Sequence, residues 1–159
     1  MLRCIIIRNE NNGRPIMITE DYVSFETAKL LKEKGFEEHV THYYFTQITH
    51  VGFKDYPTGV LYTDSYQQNQ NNYNNKVAAP TLQLAMKWLR NMHNIHISII
   101  FGWLSGYNAQ VDWAKESKKN TDKSDLYVWK TDLNTSYEQA CDEAIKYCLK
   151  NITQKEPDN

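Results

Sequence analysis

Apolar and polar positions follow two rhythms along this chain. Some stretches alternate every second residue; others carry an apolar stripe at every third or fourth position. Three stretches have the helical rhythm. "VSFETAKLLKEKGF", Val23 to Phe36, puts Phe25, Ala28 and Leu31 on one stripe, with Thr27 and Leu30 beside it. Ser24 is placed to cap the first turn with its hydroxyl, and Glu26 suits the positive end of the dipole. Gly35 fits a left-handed stop, with Phe36 folding back onto Leu31. "APTLQLAMKWLRNMHN" enters through Pro80 and Thr81. Its face holds Leu82, Ala85, Met86, Leu89 and Met92 or His93, widened by Leu84 and Trp88. So wide a face predicts a helix packed on a sheet, with Trp88 in the core. "NTSYEQACDEAIKYCLKNI" offers a capping box from Thr135 with Glu138 or Ser136 with Gln139. Its stripe runs through Tyr137, Ala140, Cys141, Ala144, Ile145, Cys148, Leu149 and Ile152.

The period-two stretches predict strands. "LRCIIIR" and "RPIMIT" read as a hairpin turning through Asn12-Gly13. "HVTHYYFTQITHVGF" reads as one long strand, with Tyr43, Phe45, Gln47, Thr49 and Val51 on one side. "TGVLYTD" and "LYVWKT" read as short strands. "NIHISIIFG" alternates Ile95, Ile97, Ile99 and Phe101 against His96, Ser98 and Ile100. "SYQQNQNNYNNKVAA" has no aliphatic residue before Val77, and its composition predicts a flexible polar loop over about 65–78. The end, 153–159, reads as a frayed tail.

Strands therefore come in pairs between helices, not in strict alternation with them. That order predicts an α+β single domain over 1–159, with a mostly antiparallel sheet and three helices packed on one face. A chain of 159 residues can bury such a core without covalent staples.

Charge and composition narrow the functions. The formal net charge is −1, whereas duplex binding draws most of its affinity from a basic excess. "ETAKLL" looks like the first helix of a helix-turn-helix unit. The chain after Gly35, however, is acidic and then β-rich, so it supplies no recognition helix. The expectation is a core wall and no duplex DNA. No apolar run is long enough for a membrane span or a signal peptide, which predicts an intracellular protein with no membrane contact. Cys4, Cys141 and Cys148 form no C-x-x-C pair. Cys141 and Cys148 fall roughly 10 Å apart along a helix axis, beyond disulfide reach. All three read as reduced packing residues.

The remaining motifs point weakly to chemistry. His39-x-x-His42 and His93-x-x-His96 lack the i, i+4 spacing of two ligands on one helix face; surface or hydrogen-bonded imidazoles, and no metal, are expected. "GWLSG" displaces Ser105 from the centre of a nucleophile elbow and reads as a turn ending a strand. There is no P-loop and no G-x-G-x-x-G, so no catalytic residue and no cofactor are assigned. Aromatic residues at 13% include Trp103, Tyr107 and Trp113, interleaved with Gly and Asn. Trp and Tyr dominate interface hot spots, which makes these three the candidate surface for a protein partner.

"VSFETAKLLKEKGF", "APTLQLAMKWLRNMHNIHI" and "SYEQACDEAIKYCLKNI", in this order and spacing, resemble a family of small uncharacterised proteins from phages and prophages of gut Bacteroidetes. The likeness spans roughly the C-terminal five-sixths of the chain; the residues before Asp21 look like an extension of it. It implies a phage or mobile-element origin and the cytoplasm of a bacterial host. It carries no activity. The expected function is that of a non-enzymatic accessory protein acting by protein–protein contact. Two alternatives stand beside it. One is a small enzyme acting on a nucleotide or nucleic acid. The other is single-stranded nucleic-acid binding through Tyr43, Phe45 or Trp129, which requires stacking rings beside Lys or Arg.

Overall fold

The computed structural model describes residues 6–8, 15–17, 19–102, 106–114, 126–130 and 136–152, with backbone alone at 6–8, 15–17, 113–114 and 126–130. The helices start and stop where local chemistry dictates. Helix α1 is Phe25–Glu33; Ser24 Oγ accepts from Thr27 N at 3.3 Å. Its end is a Schellman turn. Gly35, at φ 82°, donates its N–H to Lys32 O, and Phe36 N–H reaches back to Leu31 O at 3.0 Å. Phe36 and Leu31 are both buried, closing the apolar clasp. Helix α2, Leu82–His93, is capped by Thr81 Oγ1, which accepts from Leu84 N at 3.2 Å. Helix α3, Tyr137–Asn151, is capped by Ser136 Oγ, which accepts from Gln139 N at 3.1 Å.

All strand pairs among the described residues are antiparallel. Strands β1 (Ile6–Arg8) and β2 (Pro15–Met17) form the first hairpin. Strand β3 (Val40–Phe45) lies between β6 (Leu61–Gln68) and β7 (Lys76–Ala78). Strands β4 (Thr49–Val51) and β5 (Lys54–Tyr56) make a separate hairpin. Strand β9 (Tyr107–Ala114) lies between β8 (Ile95–Phe101) and β10 (Leu126–Lys130). The fold is α+β, as the element order implies.

Two expectations are corrected. The long strand after His39 is two strands, β3 and β4. Its alternation persists, but its partners change: Thr46 N–H turns to Asn75 O at 2.9 Å, and β4 then pairs only with β5. The polar tract over 65–78 is an ordered segment and not a flexible loop. It continues β6, makes a 3₁₀ turn at Gln70–Asn72 and returns as β7. The composition argument counts only apolar burial. Here side-chain amides and a lysine do the anchoring. Asn71 Nδ2 donates to Phe36 O at 2.6 Å while its Oδ1 accepts from Ala78 N at 2.8 Å. Lys32 Nζ donates to the carbonyls of Tyr73 and Lys76, both at 2.8 Å. Gln70 is fully buried.

The core lies where the helices meet the sheets. Helix α1 packs on β7 and α3, α2 on β8 and α3, and α3 on β8 and β9. Helices α1 and α3 are tied at both ends. Ser24 N–H donates to Asp142 Oδ1 at 2.9 Å, and Lys34 Nζ donates to Ile152 O at 2.7 Å. Leu31, Leu89, Ile145 and Leu149 are fully buried between these elements, each contributing about 1.5–3 kcal/mol on area. Helix α1 is thus a wall of the core.

Candidate binding surface

The side chains of β3 divide between two faces. Tyr44 points to α1: its ring meets Phe25 edge-on at 5.5 Å, and its hydroxyl donates to Val23 O at 2.8 Å. Its neighbours Tyr43 and Phe45 must then face the other way. The ladder brings further residues to that face. Tyr62 on β6 lies opposite Tyr43, and Lys76 on β7 lies opposite Phe45. Tyr56, from the β4–β5 hairpin, packs on Phe45 at 5.5 Å and on Tyr62 at 5.4 Å between ring centroids. Phe45 is the buried centre of this four-ring cluster; Tyr43 and Tyr62 each lie 5.3 Å from it. Most of the contacts are edge-to-face or tilted, the geometry aromatic quadrupoles favour.

Two lysines border the rings. Lys76 Nζ sits 3.8 Å above Tyr43, with Tyr73 at 4.9 Å and Phe45 at 5.8 Å. Lys54 Nζ lies 5.1 Å from Tyr56. Burial lowers the Lys76 pKa, and the Asp64 charge opposes that shift. A polar chain joins the two: Lys76 Nζ donates to Gln70 Oε1, and Gln70 Nε2 donates to Asp64, each at 3.4 Å. Gln68 Nε2 adds a donor to Asp64 at 2.7 Å. These hydrogen bonds, that from Gln70 first, hold the Asp64 carboxyl below its usual range. Burial raises the Tyr43 hydroxyl, with Asp64 adding to it.

The strip continues onto the hairpin. In its ladder Thr49 faces Tyr56 and Val51 faces Lys54, so these residues share the side on which Tyr56 joins the cluster. The turn is the two-residue Gly52-Phe53. Gly52 has φ 61° at the first turn position, where a II′-type hairpin calls for glycine. Phe53 at the tip is fully exposed, and Ile48 and Val51 are exposed at 62% and 58%. Among the described residues ten large apolar side chains are exposed, and five of them lie between residues 48 and 61: Ile48, Val51, Phe53, Val60 and Leu61.

Of the three residues expected to form an interaction surface, Tyr107 alone has its side chain among the described residues. Tyr107 is half-buried, edge-on to Phe101 at 5.3 Å and to Tyr137 at 6.0 Å, and borders the core. Trp113 occupies a β9 backbone position opposite Ile95. Trp103 lies outside the described residues, as does Ser105. Gly102 N–H donates to Gly106 O at 2.8 Å, closing the turn between β8 and β9. Trp88 is buried against Phe36. Trp129 pairs with Val111 in the β9–β10 ladder.

The histidines are dispersed. His42 stacks on Tyr22 at 4.0 Å, and His50 contacts Asp55 at 2.6 Å on the exposed side of the hairpin. His93 meets Trp88 edge-on at 4.8 Å; His39 and His96 are exposed. Among the described residues no three His, Cys, Asp or Glu side chains gather as a metal site requires. An open groove of about 600 Å³ is lined by Glu37, Glu38, His39, Gln67, Trp88 and Met92. Cys141 and Cys148 are buried free thiols. No helix among the described residues is long and apolar enough to cross a membrane.

The strip left one linear trace, the alternation that sets Tyr43, Phe45, Thr49 and Val51 on one side. Its other members come from β5, β6 and β7. No family model, curated protein or solved structure matches this chain.

Proposed function

We propose that this chain is a non-enzymatic accessory protein of a phage or mobile element, and that it works by holding another protein along the strip from Phe53 to Lys76. One observation carries the reading: a cluster of packed rings bordered by Lys54 and Lys76 runs into a hairpin tip whose Phe53 touches solvent on all sides. Burying Ile48, Val51 and Phe53 against a partner would contribute about 1.5–3 kcal/mol each. Tyr43, Tyr56 and Tyr62 supply large contact area with few rotors to freeze. The phage origin rests on the likeness of the three helix blocks.

A second reading has its own observation. Stacking rings beside a lysine are what single-stranded nucleic acid requires, and Lys76 over Tyr43 is such a pair. Yet Lys76 already covers that ring, so a base would have to displace it. The protein reading needs no such rearrangement.

Capture from a gut Bacteroidetes lysate, with and without nuclease, separates them when Phe53→Ser is run alongside the wild type. A protein that survives nuclease, is lost on Phe53→Ser, and rebinds as a purified species supports the first reading. Retention that ends with nuclease supports the second. A protein held equally by Phe53→Ser refutes the strip as the contact surface.

A further inference from the structure

We infer that β8 is a pairing edge for a second copy of this chain, joined antiparallel about Ser98. Among the described residues the sheet ends at β8: its one strand neighbour there is β9, paired with all seven of its residues without irregularity. Such an edge offers a row of outward N–H and C=O groups, and proteins usually blunt it with charge, proline, a bulge or brevity. The other edges show these devices. The β6 ladder is broken by a register shift between Val40 and His42 and carries Asp64. Strand β7 is three residues long and begins with Lys76, and β10 ends in Lys130.

Strand β8, Ile-His-Ile-Ser-Ile-Ile-Phe, has none of them: no Lys, Arg, Asp, Glu, Pro or Gly. It is seven residues of mainly β-branched sequence, the composition that pairs with copies of itself. Ile100 and Phe101 are exposed at 45% and 63%.

Self-pairing also has a natural register. Among antiparallel alignments, the one centred on Ser98 alone matches all seven residues with all seven. Ile95 then faces the partner's Phe101, and Ile97 the partner's Ile99. Ser98 meets the partner's Ser98, and His96 the partner's Ile100. Every pair lies on one face in both copies, so both sets of helices stay on the same side. No like charges meet. The contact is isologous and closes on itself, joining two three-stranded sheets into one of six.

The test uses the full chain. Sedimentation velocity across the micromolar range is expected to show a monomer–dimer equilibrium. Ser98→Lys, at an exposed position, is expected to weaken it by roughly tenfold or more, because two like charges then face each other across the axis. In a Cys4→Ser background, Ser98→Cys is expected to form a disulfide-linked dimer on mild oxidation. Facing Cα atoms in such a ladder stand about 4.5–5.5 Å apart, within disulfide range. His96→Cys is expected to cross-link with Ile100→Cys and not with itself. A monomer throughout the range overturns the proposal. So does a dimer that Ser98→Lys leaves intact, or self-linking of His96→Cys as fast as that of Ser98→Cys.

Discussion

The Asn71 amide bridges two backbone groups that are far apart in sequence, donating to Phe36 O at 2.6 Å and accepting from Ala78 N at 2.8 Å. It joins the end of α1 to β7 and holds the glutamine- and asparagine-rich tract in place. Asn71→Ala removes both bonds and strands a carbonyl and an N–H. Each lost partner costs about 1–3 kcal/mol. A loss of roughly 2–4 kcal/mol in urea unfolding is expected. Asn71→Asp is expected to fall at least as far: it keeps the acceptor for Ala78 but turns a second oxygen on the Phe36 carbonyl. An Asn71→Asp protein as stable as wild type would show that the bridge does not hold the tract.

Gly35 is required by backbone conformation and not by space. Its φ is +82°, and a Cβ built there would meet nothing within 4 Å. Gly35→Ala therefore costs only the left-handed penalty, about 1–2 kcal/mol. Gly35→Asn is expected to lose less, since asparagine tolerates this region better. Chemical denaturation of the two variants checks the order; equal losses would point to a lost contact instead.

Both positions bear on how much of this fold can be read along the chain. Helix ends are decided within four or five residues, so Ser24, Gly35 and Thr81 announce themselves, and Ser136 is one of two caps, with Thr135, that the chain offers. Strand β8 is equally plain, because Ile95, Ile97 and Ile99 alternate without interruption. The break after Phe45 is not local: it depends on Thr46 finding Asn75, nearly thirty residues on. The order of the 65–78 segment depends on Lys32 and Phe36, which no composition window over the tract contains. The aromatic strip is assembled by ladder register, Tyr43 with Tyr62 and Phe45 with Lys76. Tyr107, noticed because it neighbours glycine, borders the core.

Buried acids give the fold an alkaline limit. Burial pushes the Cys141 thiol from 9.0 to about 11 and the Cys148 thiol from 9.0 to about 12. Burial, and then the Asp142 charge, raises the Tyr44 hydroxyl above 10.0. These groups are neutral when protonated, and the unfolded chain gives up their protons first. Stability is therefore intact below the unfolded values and falls as pH rises past 9.0. The slope is about 1.4 kcal/mol per pH unit for each thiol until its folded value is reached. Urea midpoints are expected to drop steeply from pH 9 upward, and Cys148→Ala to flatten that slope while lowering the whole curve. In the native protein both thiols should resist a thiolate-selective reagent that labels them at once in urea. A flat profile between pH 9 and 11 would mean that these groups are open to solvent.

Phe53 tests whether the hairpin is kept for folding or for contact. Its ring is fully exposed and makes no ring or cation contact among the described residues. Removing it forfeits no packing, so Phe53→Ser is expected to change stability by no more than about 0.5 kcal/mol. Gly52→Ala acts differently. Gly52 holds φ +61° with open space around it, so the substitution strains the turn and costs about 1–2 kcal/mol. If the tip serves a partner, both variants lose binding but only Gly52→Ala loses stability. Thermal melts beside a binding titration against the captured partner read both quantities. A large loss of stability in Phe53→Ser would show that the ring packs somewhere in solution, and the hairpin would then belong to the scaffold and not to the contact surface.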